Sequence, residues 1–71
     1  MTRELLERKY PAGTRVKLIK ARSQFCGVEE GTIGTVTGIN WFDSIDVAWD
    51  GNSSNHDLIV GEDRFSVVYG R

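Results

Sequence analysis

The chain has 71 residues and a formal net charge of −1, a length that holds one small domain and excludes a multi-step enzyme with its own cofactor domain. With only one cysteine, Cys26, an internal disulfide scaffold is excluded, and the 39% hydrophobic content argues against a disordered chain. No apolar run approaches the roughly 18 residues of a membrane span, so no membrane role is expected.

Residues 2–9 read as a short helix. Thr2 is its N-cap, Glu4 lies in the first turn, and Arg8 and Lys9 lie in the last, as the helix dipole favours. A helix of about eight residues is marginal alone, so it must dock through Leu5 and Leu6 or fray. Pro11-Ala12-Gly13 is a turn. Residues 14–20 alternate as a strand, with Val16 and Leu18 inward and Arg15 and Lys17 outward. Residues 21–30 lack periodicity and read as a long loop from which Phe25 and Cys26 fold back onto the core.

Residues 31–39 form a second strand, rich in Thr, Ile and Val; its glycines mark a bend, a bulge or a close backbone approach. Residues 40–43 are a loop carrying two large aromatics, Trp41 and Phe42. Residues 44–50 alternate strictly, placing Ile45, Val47 and Trp49 on one face with Asp46 and Ala48 on the other. Asp50-Gly51 is a hairpin turn, and residues 53–59 are a short, polar returning strand. Residues 61–64 are a turn, read as one loop of 3₁₀ helix, before a last strand at 65–69. Five short strands between glycine turns predict an all-β small barrel or sandwich. Its expected core is Val16, Leu18, Val36, Ile45, Val47, Trp49, Leu58, Phe65 and Val67.

Charge is unevenly spread. Residues 1–22 hold seven bases against Glu4 and Glu7, while residues 23–63 hold eight acids and no base. The favoured expectation is that the two regions neutralise each other across neighbouring strands. The competing one is that the basic region faces phosphate or an acidic partner.

Few residues suit catalysis. Cys26 and His56 are the only nucleophile–base candidates and lie 30 positions apart, so no enzyme activity is expected. One Cys and one His do not supply a structural zinc set, and no metal site or cofactor is expected. Gly31, Gly34 and Gly38 lack the Lys-Ser/Thr ending of a phosphate loop.

Binding is the remaining class. Trp41 and Phe42 have no inward slot in a strand, so they are either interface anchors or a plug over a barrel end. One of the two should be exposed, and Asp43 and Asp46 beside them would favour a partner with a basic rim. The alternative is a nucleic-acid surface made by Arg15, Lys17, Lys20 and Arg22 with Tyr10. An isoelectric point near 5.7 weighs against that alternative.

Gly31 to Gly38 followed by Val47-Ala48-Trp49-Asp50-Gly51 resembles elements of SH3-like barrels. The glycine-rich piece is similar to the KOW motif, and the second piece to the mind-bomb/HERC-type repeat. Adding Tyr10-Pro11-Ala12-Gly13-Thr14-Arg15-Val16-Lys17-Leu18-Ile19 and Gly61-Glu62-Asp63-Arg64-Phe65, the chain resembles an uncharacterised family of short SH3-like domains found on phages and conjugative elements. The resemblance covers roughly residues 10–69 and implies an SH3-like barrel preceded by the helix, residues 1–9 and 10–71. It departs at 21–30 and at Ser54-Asn55-His56, where a more apolar strand is usual. The resemblance implies a mobile-element origin and no activity; the expected function is a cytoplasmic module binding a host or viral protein, in one form an inhibitor of a host defence protein. The lone thiol and the mixed charges of Met1-Thr2-Arg3-Glu4, unlike a signal peptide, agree with a reducing cytoplasm. A monomer or weak homo-oligomer is expected.

Overall fold

The structure is a computed structural model that describes residues 2–52, 54 and 56–68. Helix α1 spans Arg3–Lys9 and is capped as its sequence requires. Thr2 Oγ1 accepts from the Leu5 N–H at 3.3 Å, and the Tyr10 N–H closes the far end on the Leu6 carbonyl at 2.8 Å. The two leucines divide their roles. Leu6 is fully buried in the core, whereas Leu5 stays 45% exposed.

Four strands follow: β1 (Arg15–Lys20), β2 (Ile33–Ile39), β3 (Ile45–Trp49) and β4 (Arg64–Val67). They form one antiparallel sheet in the order β3-β2-β1-β4. The expected strand at 53–59 reduces, among the described residues, to a bridge in which Ile45 and Leu58 exchange backbone hydrogen bonds of 2.8 and 2.9 Å. Ser53 and Asn55 lie outside the described residues, as does Tyr69 of the last expected strand. Residues 61–64 are not a separate 3₁₀ loop. A turn closes on the Ile59 carbonyl, and Arg64 already belongs to β4.

The core holds seven of the nine expected side chains. Phe65 and Val67 are only half-buried, because β4 is an edge strand with one neighbour. Phe65 meets Tyr10 edge-on, with ring centroids 5.4 Å apart. Leu6, Val28 and Ile39 complete the core. The loop at 21–30 therefore sends in Val28, with Cys26 half-buried beside it, while Phe25 is 86% exposed.

Two local features set the register. The β2–β3 pairing shifts between Val36 and Gly38, and beyond this bulge Ile39 turns inward although it is out of phase with Val36. Gly34 lies opposite Trp49; a Cβ there would sit 2.5 Å from Val47 Cγ1 and 2.9 Å from the Ala48 carbonyl oxygen. Its role is thus close backbone approach.

Candidate functional site

The β2–β3 connection is a tightly closed hairpin tip. The Asn40 N–H donates to the Ser44 carbonyl at 2.9 Å, and the Asp43 N–H to the Asn40 carbonyl at 3.1 Å. Asp43 takes a φ of +58°, the left-handed residue that follows the turn in a three-residue hairpin loop. Asn40 Oδ1 adds a second layer, accepting from the N–H groups of Phe42 at 2.9 Å and Ser44 at 3.1 Å.

Trp41 is 86% and Phe42 87% exposed. Both therefore project from the tip, and neither plugs the core. The Arg3 guanidinium of α1 lies 4.9 Å from the Trp41 ring centroid, a cation–π contact, and pairs with Glu7 at 3.6 Å.

The two acids expected beside the aromatics do different work. Asp43 is exposed and shapes the turn. Asp46 is half-buried, and its carboxylate accepts from Asn40 Nδ2 at 3.0 Å, so it braces the loop instead of forming a free acidic rim. The cation stacked on Trp41 is Arg3, which no pattern in the sequence placed there.

The alternative basic stripe is broken up. Arg15 makes a two-pronged pair with Asp50 at 3.0 and 2.6 Å and also donates to Thr35 Oγ1 at 2.8 Å. This hydrogen bonding holds the Asp50 carboxyl below its usual range. Arg22 spans two acids. One guanidinium nitrogen donates to Asp57 Oδ1 at 2.8 Å, and the other donates both to the Asp57 carbonyl at 2.9 Å and to Asp63 Oδ2. Tyr10 is half-buried against Phe65. Lys17 and Lys20 are exposed and free of ion pairs among the described residues. The arginines pair the basic region with the acidic one, but not across neighbouring strands as expected: β2 lies between β1 and the end of β3, and Arg22, Asp57 and Asp63 lie outside the strands.

The polar cluster around Arg22 has no local sequence signal. Asp63 has a fully buried side chain that accepts from the N–H groups of Arg22 at 2.7 Å and Ile59 at 2.8 Å. Burial pushes its carboxyl pKa up, but these N–H groups and the guanidinium outweigh burial and hold it below the ordinary value. Asp57 is likewise lowered: burial opposes ionisation, and hydrogen bonds from Arg22, Asn40 and Ser44 overcome it. His56 Nε2 is buried 3.3 Å from Asp63 Oδ1 without the alignment of a hydrogen bond. Among the described residues no group of three or more His, Cys, Asp or Glu is placed to hold a metal ion. No described helix is long and apolar enough to cross a membrane.

A family model described as "Domain of unknown function (DUF4314)" matches residues 2–68. No curated protein and no solved structure matches the chain.

Proposed function

The chain belongs to the DUF4314 family, and for this member we propose a non-enzymatic protein-binding module whose contact site is the Trp41–Phe42 tip. The observation that carries the reading is a pair of adjacent aromatics, each more than four-fifths exposed, held on a loop whose backbone is closed by four hydrogen bonds. Large rigid side chains of this kind supply contact area with little ordering cost, and each contributes about 2 kcal/mol or more when buried centrally in an interface. Trp41 and Phe42 are the anchors, Arg3 extends the surface from α1, and Asp43 sets the angle of display.

The finer fold reading is an SH3-like small barrel, supported by the sheet order and by the Ile45–Leu58 bridge at the outer edge of β3. A phage or mobile-element origin, with a host defence protein as one class of target, rests on the resemblance of the sequence elements.

The test is capture from a bacterial lysate by the wild-type chain and by Trp41→Ser/Phe42→Ser, each with and without nuclease. One protein retained by the wild type despite nuclease, and lost by the double variant, is expected. Capture abolished by nuclease and by reversing the charges of Lys17 and Lys20 would replace this reading with nucleic-acid binding.

A further inference from the structure

We propose that Asp57, clamped by Arg22, is a positioning residue for the aromatic tip, bracing the 40–44 loop through Asn40 and so holding Trp41 and Phe42 in their displayed geometry. Its functional value rests on the tip being a contact site; the bracing itself is tested without any partner.

Asn40 and Ser44 are the two posts of the loop, and Asn40 links both to Asp57. Asn40 turns its side-chain oxygen toward the Phe42 and Ser44 N–H groups, and its Nδ2 donates to Asp46 Oδ1 at 3.0 Å and to Asp57 Oδ2 at 3.4 Å. Ser44, buried at 3% exposure, is held through its N–H by the same Asn40 side-chain oxygen. On its other side Asp57 receives two prongs from Arg22, one on the carboxylate and one on the backbone carbonyl. Arg22 is in turn fixed to the buried Asp63 through both its guanidinium and its N–H. A continuous polar chain therefore runs from Asp63 through Arg22 and Asp57 to Asn40 and the Phe42 N–H. Its members come from the segment after β1, the tip and the segment before β4, so the tip is tied to two other parts of the fold.

The charged groups around Asp57 make this brace sensitive to acid. Arg22 faces it directly. Asp63 and His56 lie behind Arg22, and Asp46 lies across Asn40. Arg22 is the cation that offsets the clustered acids; protonating Asp57 removes the charge that Arg22 and Asn40 both address. The lowered Asp57 pKa agrees with this arrangement.

Amide hydrogen exchange on ¹⁵N-labelled wild type and Asp57→Ala tests the brace. The Phe42 and Ser44 amides should exchange about tenfold faster in the variant, while the Val16 and Val36 amides of the sheet keep their protection. Unchanged exchange at the tip overturns the proposal. If Asp57→Ala does not fold, acid titration decides. In the wild type the Phe42 and Ser44 amide shifts should follow the Asp57 carboxyl signal, and in Asp57→Asn that response should vanish. A tip response that persists in Asp57→Asn overturns the proposal. Failure here is distinct from failure of the contact site: a rigid tip in Asp57→Ala leaves capture by the aromatics intact, whereas a loosened tip supports the brace even where removing the aromatics leaves capture unchanged.

Discussion

Trp41 and Trp49 are the same residue in opposite settings, and replacing each tests the assignment of site against core. Trp49 is 4% exposed, lies in β3 opposite Gly34, and donates its indole N–H to the His56 carbonyl at 2.9 Å. Trp49→Ala should cost about 3–5 kcal/mol, the range for a large buried aromatic. A domain of this size rarely has more than about 3–5 kcal/mol in total, so the variant should be largely unfolded. Trp41 and Phe42 are different. Realistic denatured chains already cover roughly 10–40% of their surface, so side chains 86% and 87% exposed in the native state gain almost no burial on folding. Their removal costs chiefly the Arg3 contact, about 0.5–1 kcal/mol at an exposed site. Since 1 kcal/mol corresponds to about 4–8 °C in a domain of this length, Trp41→Ser/Phe42→Ser should melt within about 8 °C of the wild type. Thermal melts followed by circular dichroism, with urea unfolding as a second measure, check both variants. A double variant that melts as poorly as Trp49→Ala would refute the argument and make the aromatic pair a structural element.

Other outcomes follow from single features. Gly34→Ala should destabilise by about 1–3 kcal/mol, because the Ala48 carbonyl 2.9 Å from the new methyl is backbone and cannot swing aside; a urea midpoint equal to that of the wild type would show that the strands separate freely. Asp43→Gly should leave stability unchanged or raise it by up to about 1 kcal/mol, and Asp43→Val should lower it by about 1–3 kcal/mol, since only the former relieves a positive φ. Asp57 and Asp63 have folded-state pKa values below their unfolded ones, so their contribution is complete above the unfolded value, about 4, and is lost as pH falls through the folded values. Stability measured by urea unfolding should therefore fall below about pH 4, with a shallower slope in Asp57→Asn; equal slopes would show that this carboxylate is not selectively stabilised by folding.

The amino-acid sequence by itself determined the local elements. Thr2, Glu4 and the Arg8-Lys9 end define α1 because capping and dipole effects act within one turn. Alternation placed Val16 and Leu18 of β1 and Ile45, Val47 and Trp49 of β3 on the buried face, because side-chain direction in a strand repeats every two residues. Because no strand phase offered Trp41 or Phe42 an inward slot, the sequence pointed to one of them at the surface and left anchor and plug open; the structure exposes both. What only the tertiary structure decided are relations between distant residues and breaks in periodicity. The bulge beyond Val36 shifts the phase of β2 and buries Ile39, which simple alternation points outward. Arg15 meets Asp50 and Arg22 meets Asp57 across 35 positions, and Arg22 meets Asp63 across 41, pairings chosen by the folded sheet among eight acids of similar local character. The same pairings turned an apparent basic stripe into structural clamps and made Asn40, an ordinary loop residue in the sequence, the hinge between the buried charges and the aromatic tip.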